Sequence, residues 1–519
     1  MKEMMFGLVC ASVLYGCGSL QAQQPGIGDP DDTGFDETGD TDEQQLQPFD
    51  FPAGLHSRDA TVDDFVAKRL AELDQFYVDF KADLTVEMTG ENLGYVVDGS
   101  GEPVVGNAES PVEYPHVQAI ELANTEGHGG NIFLTAGTYG WFRIMTQYSS
   151  HSKTVDRLVS SPENPVRLVG QTSETGALRV RFTSPGAGGY TLQMRETSSD
   201  ENMQIDHLEF YRLRFECGRD CIHVGTYDES VQGSDVVYDG LVFADVEMDG
   251  RYQWLERGES TGKWGMHTRN LGKFELLRSH IHNTHWEHGI YVHAPRGEFI
   301  AMANTIHDVG RTAFQFTARK DPYLEGEEHP PNNHPIRVYN NYLADTSLAD
   351  GCAGGSTISL FGRNQQAYIK NNLIEMGYDS FTPGLLDEMN SFCQYTPFTG
   401  AITSASFETD GYENSTGPFL IEHNTFRYAQ GTGDRAVVTL AAVDEAIFRN
   451  NHVTTGNNPV ALRIGSAGSA HKATPEFFCV RDNAWIAGET GKTQVMIRDE
   501  PVDEWSVLNE GGEPCEAVP

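Results

Sequence analysis

A polar residue, usually asparagine, followed two positions later by a large apolar one recurs through the second half of this chain. The series is Ser279/Ile281, Asn304/Ile306, Asn341/Leu343, Asn372/Ile374, Asn424/Phe426, Asn451/Val453 and Asn483/Trp485. The interval is 25 residues from Ser279 to Asn304 and 27 from Asn424 to Asn451, and it lengthens elsewhere by insertion. A fixed register with variable loops is how a solenoid reads, because each coil packs only on its neighbours. An inward asparagine at the same turn of every coil can bond the coils above and below, satisfying backbone groups that would otherwise be buried unpaired. The apolar residue two positions on then fills the core. Within this region, the windows 274–293 and 299–317 each read as a short strand, a polar turn, a second strand, a loop and a third strand.

The segment before the repeats has its own grammar. Val117-Gln-Ala-Ile-Glu-Leu-Ala-Asn124 reads as a short helix; a Gly-rich break and the strand-like run Asn131 to Ile144 follow. That order, together with the asparagine ladder and the three-strand coil, resembles the pectate-lyase-like superfamily of right-handed parallel β-helices. The resemblance rests on fold-level features and no catalytic motif. It implies an all-β, single-stranded right-handed parallel β-helix over residues 95–500, with the short helix capping the open end of the core. Such coils serve lyases, hydrolases, epimerases, adhesins and phage fibres alike.

Upstream, Val62, Phe65, Val66, Leu70, Leu73, Phe76, Tyr77 and Phe80 recur at helical spacing behind Asp59 and Thr61, predicting an amphipathic helix that docks on the body. It lies in a helical segment, 53–94, preceding the solenoid; residues 501–519 form a tail. Residues 18–52 are rich in Gly, Pro, Gln and acid, with almost nothing apolar to bury, and read as a disordered, self-repelling tether. Residues 1–17 pair Lys2 with an apolar run too short to span a bilayer, as signal peptides do. Leu14-Tyr15-Gly16-Cys17 resembles a bacterial lipobox, which implies lipid attachment at Cys17 and an outer-membrane or cell-surface location, with secretion as the alternative. The membrane is then a partner through that anchor alone. In an exported body the six cysteines Cys217, Cys221, Cys352, Cys393, Cys479 and Cys515 suggest up to three disulfides: Cys217 with Cys221 around a tight turn, Cys352 with Cys393, and Cys479 with Cys515.

A formal net charge of −39 argues against nucleic acid as a partner and requires any reader of an acidic polymer to own a local basic patch. One stretch qualifies. Lys263 to Lys320 holds seven of the 18 histidines and eight Lys/Arg against four Asp/Glu. In the superfamily resembled, the strand after the ladder strand presents its outer face to the substrate. Carried over, that register points Met266, Thr268, Ile290, Val292, Phe314, Phe316, Ile358 and Leu360 inward. It points His267, Arg269, Tyr291, His293, Gln315, Thr317, Arg319, Ser359 and Phe361 outward. Loop residues Trp286, Glu287, His288 and Arg311 would overhang the patch, and Lys263 and Lys320 flank it.

Cleaving a uronate polymer by β-elimination needs a base, a group to stabilise the enolate and an acid for the leaving oxygen. His293, Arg269 or Arg319, and Tyr291 are the expected catalytic residues in that order. His267, Trp286, His288, Arg311, Gln315 and Lys320 are the expected contacts to a polysaccharide. His280, His282 and His307 fall on another wall. The adjacent Asp pairs of polygalacturonase-like hydrolases are missing from the repeats, and no Asp-Pro-His motif of mannuronan epimerases occurs. Calcium-dependent pectate lyases cluster groove carboxylates with an Arg; the expected face has the arginines without the carboxylates, so calcium is not demanded. The competing reading is a noncatalytic carbohydrate-binding or adhesion module built on the same groove.

Overall fold

The structure, a computed structural model, describes residues 58–123, 130–145, 153–156, 160–184, 189–195, 205–225, 237–250, 264–284, 287–293, 295–318, 332–348, 356–378, 381, 400–406, 414–429, 436–456, 460–466, 472–486, 494–502 and 507–510. The expected signal peptide, lipid site Cys17 and tether, and Trp286, Arg319, Lys320, Cys352, Cys393 and Cys515, lie outside these residues. No helix among the described residues is long and apolar enough to cross a membrane.

Each coil contributes one strand to each of three sheets, and coil after coil pairs in parallel. In the coil at the centre of the molecule, Phe274–Leu277 joins the first wall, His280–Thr284 the second and Ile290–His293 the third. The next coil repeats this with Phe299–Met302, Thr305–Val309 and Phe314–Ala318. The fold is the right-handed parallel β-helix expected from the repeats.

The asparagine ladder forms as predicted, at the turn between the first and second walls. Asn304, Asn341, Asn372, Asn424 and Asn451 each direct a backbone N–H and a side-chain Nδ2–H to the Oδ1 of the next asparagine, at 2.9–3.1 Å. The other Nδ2 proton reaches a carbonyl of the preceding coil, as Asn341 does with Ala301 at 3.0 Å. Ser279 starts the ladder by donating its amide to Asn304. The residue just before each rung, Arg278, Ala303, Asn340, Asn371, His423, Asn450 and Asp482, takes a left-handed backbone with φ between 45° and 57°. Asn, Asp and His tolerate that conformation best, which explains the Asn-Asn pairs at 340–341, 371–372 and 450–451. Inside, aliphatics and aromatics stack between coils; Phe210 and Phe243, and Phe274 and Phe299, lie face to face with centroids 4.8 and 5.0 Å apart.

The N-terminal helix α1 (Ala60–Asp79) straps the outside of the first wall. Asp59 caps it by accepting the Thr61 amide at 3.0 Å. Its length of about 30 Å matches about six coils at 4.8 Å each. Val62, Val66 and Leu73 pack on Val169, Tyr211, Ala244, Leu277, Ile300, Met302 and Tyr339. Polar clamps hold both ends: Asn371 accepts the Asp59 amide at 2.9 Å, while Tyr77 donates to Asp245 at 2.6 Å and Arg278 bridges Asp245 and Asp74. The helix therefore docks on the body, as its apolar stripe predicts.

Helix α2 (Pro115–Ala123) covers the open end of the core with Val117, Ala119 and Ile120. The sheets begin earlier than the expected boundary at 95, because Leu84–Gly90 and Leu93–Asp98 form an antiparallel hairpin whose first strand pairs in parallel with Asn131–Leu134. At the other end, Val507–Glu510 in the expected tail turns back as an antiparallel strand on Phe477–Arg481.

Candidate functional site on the third wall

The register expected for the third wall is the register found. Met266, Ile290, Val292, Phe314, Phe316, Ile358 and Leu360 are in the core, and Thr268 is fully buried with them. On the outer face one column runs His223, His267, Tyr291, Gln315, Ser359, Thr403 across consecutive coils. A second column runs Arg269, His293, Thr317, Phe361. Stacked strands about 4.8 Å apart thus bring Arg269, Tyr291 and His293 into one patch.

The patch is not a plainly solvated face. His223, His267, His293, Thr317 and Ser359 are buried, with His267 only 5% exposed, whereas Trp264, Arg269, Tyr291 and Gln315 are half-buried. The histidines form a floor on which the half-buried groups sit. Trp264 lies flat on His267, with centroids 4.2 Å apart and planes 12° from parallel, and Tyr291 stands 5.1 Å from His267 on the next coil. Tyr291 and His293 lie 6.1 Å apart.

Sequence reasoning missed the coil below. Asp220 and His223 precede the expected patch by one coil, Trp264 begins the strand that carries His267 and Arg269, and Asp220 is fully buried. His223 donates its Nδ1–H to Asp220 Oδ2 at 2.8 Å, and His267 Nδ1 lies 4.0 Å from the same oxygen. The Cys217–Cys221 disulfide, expected from their spacing, closes the turn that delivers Asp220 and His223 to the face. The signal for His223 was present in Ile222-His223, which matches the inward Met266 and outward His267 of the next coil. Cys479 is also disulfide-bonded.

Burial disfavours the charged form at two of these histidines, His267 and His288. Burial pushes His267 well below the ordinary histidine range, and nearby His223, His288, His293 and Arg219 add to the shift. His288, expected at the overhanging edge, is instead 3% exposed beneath it. Burial and Arg311 depress it, and its Nδ1 accepts from the Thr312 hydroxyl at 2.6 Å. Arg311 stands 3.8 Å from Glu287, and Gln315 donates to Thr317 at 3.3 Å. Asp220, His223 and His267 each offer one donor atom within 4.8 Å of the others. Two imidazoles and one carboxylate suit a transition ion better than calcium, which takes six to eight oxygens.

His280, His282 and His307 lie on the second wall, as expected. Burial and mutual repulsion hold His280 well below its ordinary value, and burial lowers His307 despite its bond to Asp308. For His282, burial is outweighed by Glu247 and Asp249, which raise it.

No known protein family is matched by the sequence, and no curated protein matches it. Solved structures do. An alginate lyase from Paenibacillus sp. str. FPU-7 shares 15% identity at a TM-score of 0.36, covering 64% of this chain and 92% of its own. PfbA, a surface adhesin of Streptococcus pneumoniae, shares 11% at 0.34, covering 73% and 89%. The Yersinia enterocolitica family 28 exopolygalacturonase shares 10% at 0.33, covering 86% and 92%. This chain resembles β-helix proteins of several trades. Likeness at these identities bears on the fold alone.

Proposed function

We propose that the outer face of the third wall cleaves a uronate-containing polysaccharide by β-elimination. The observation that carries this reading is the in-register pairing of Arg269 with His293, with Tyr291 two residues before His293 on the same strand. The proton to be removed lies next to the sugar carboxylate, so the base and the carboxylate's counter-charge must be neighbours. Arg269 would neutralise the carboxylate and the enolate that follows. His293 would take the C5 proton; the released electron pair forms the C4–C5 double bond as the C4–O bond breaks. Tyr291 would give its hydroxyl proton to the departing oxygen. Trp264 offers a ring for sugar stacking beside them. Because all three groups stand on one wall, the C5–H and C4–O bonds must lie on the same face of the sugar ring.

The competing reading is a noncatalytic carbohydrate-binding surface, favoured by the deep burial of His223, His267 and His293, which leaves Trp264, Arg269, Tyr291 and Gln315 as the partly exposed groups. Incubating the purified chain with a panel of uronate polymers separates the two. Elimination yields a product whose conjugated C4–C5 double bond absorbs in the short-wavelength ultraviolet, and Tyr291→Phe, which keeps the ring stack, lowers its rate about 100-fold or more with little change in melting temperature. Silence across the panel, with binding retained, leaves the binding module.

A further inference from the structure

The second wall carries a histidine cluster that the proposed cleavage does not use. Strands Glu247–Asp249, His280–Thr284 and Thr305–Val309 stack in register, placing His280 over Glu247 and aligning Asp249, His282 and His307 on successive coils. The three imidazoles crowd together, with centroid separations of 4.3, 4.8 and 5.4 Å. His282 and His307 are buried, and His280 and Glu247 half-buried.

The hydrogen bonds fix one lone pair, that of His307 Nε2. At His282 the Nε2–H donates to Glu247 while Nδ1 accepts from Asn283 Nδ2 at 2.8 Å, so an ion would take the place of the Nε2 proton. His307 donates its Nδ1–H to Asp308 Oδ2 at 3.0 Å, so in its neutral form Nε2 carries a lone pair. That nitrogen faces Nε2 of His280 at 2.7 Å. A histidine whose far nitrogen donates to a carboxylate is in the tautomer and orientation of a metal ligand. His282 Nε2 lies 2.9 Å from Glu247 Oε1, and Glu247, His280 and His282 each offer one donor atom within 4.8 Å of the others. Charge agrees: Glu216, Glu247, Asp249 and Asp308 gather here against Arg181 and Arg214, which pair with the first three. Phe381 closes the outer side, its ring stacked 3.7 Å from that of His307.

We propose that this cluster binds one divalent transition ion of the zinc class through Glu247, His280 and His282, with His307 Nε2 in the fourth position. Imidazole with carboxylate suits Zn(II), Co(II), Ni(II) or Cu(II), and closing on the ion requires donors to settle about 2.0–2.2 Å from it. The ion would staple three successive coils, on a wall separate from the candidate groove.

The test uses the full chain without a histidine tag, stripped with chelator and reloaded with Zn(II) or Co(II). Elemental analysis after dialysis is expected to find about one ion per chain, Co(II) to show visible absorption of a low-coordinate site, and Zn(II) to raise the melting temperature. His280→Gln or the near-isosteric Glu247→Gln should abolish retention, and Asp308→Asn should weaken binding about 10–100-fold. His267→Gln should change none of these. A second substitution guards against a misfolded first one. Absence of retained ion in the unsubstituted chain overturns the proposal, and so does an ion lost on His267→Gln but kept in His280→Gln and Glu247→Gln, which would assign it to Asp220, His223 and His267.

Discussion

Asn341 sits in the middle of the ladder, and its truncation measures what the ladder is worth. Its Oδ1 accepts the backbone and side-chain N–H groups of Asn304, and its Nδ2 donates to Ala301 O and Asn372 Oδ1. Asn341→Ala removes all four bonds while leaving the Asn341 amide bonded to Asn372. Three buried groups are stranded: the Asn304 amide, one proton of the Asn304 side chain and the Ala301 carbonyl. At about 1–3 kcal/mol for each buried group left without a partner, the loss should be at least about 3 kcal/mol. Asn483, at the end of the ladder, makes three such bonds from a half-buried position where water can substitute, so Asn483→Ala should cost about 1–2 kcal/mol. Long repeat arrays need not unfold as one unit, so native-state hydrogen exchange of the Asn304 amide and its coil neighbours is the suitable assay, with urea unfolding alongside. A loss at Asn341 below about 1 kcal/mol, or no larger than at Asn483, would refute the view that the ladder is a buried, mutually dependent network.

Two further outcomes follow from the N-terminal elements. His116 is buried in the cap among Tyr139, Phe142 and Phe182, and burial lowers its pKa from 6.5 to about 3. The unfolded chain therefore takes up a proton there that the folded chain refuses, so stability falls as pH drops from 6.5 toward 3, by about 1.4 kcal/mol per pH unit. His116→Leu should remove that slope; an unfolding free-energy difference between the two proteins that stays constant from pH 7 to 4 would contradict it. Arg278→Ala leaves the Asp245 carboxylate beneath α1 with the Tyr77 hydroxyl but without the Arg278 counter-charge, and breaks the bond to Asp74. It should loosen the helix by about 3 kcal/mol, seen as faster exchange and proteolysis within 60–79; unchanged protection there would show that the apolar stripe alone holds the helix.

Much of the architecture was legible because its causes are periodic. The ladder, the apolar stripe of α1 and the alternation of the third wall each repeat at a spacing set by backbone geometry, so Met266, Ile290 and Phe314 could be assigned inward from the sequence. The Asn-Asn pairs carried a further signal, the left-handed residue before each rung, that the repeat alone does not reveal. What stayed hidden depends on contacts between distant segments. Outward alternation says nothing of what covers a wall, so the burial of His267 and His293 was not readable, nor was the descent of His288 into the layer beneath Tyr291. Asp220 and His223 were masked by their own neighbourhood, since Cys217 and Cys221 read first as a turn. The second-wall cluster needed coils aligned to one residue before Glu247 could be seen beside His280 and His282.

The account turns on whether Arg269, Tyr291 and His293 act on a uronate chain, and the mass of the products decides it most directly. Digestion by the unsubstituted protein should give fragments that are one water lighter than hydrolytic ones and carry the new C4–C5 double bond, and Tyr291→Phe should give almost none. Fragments of hydrolytic mass, or equal yields of unsaturated product from Tyr291→Phe and the unsubstituted protein, would contradict it.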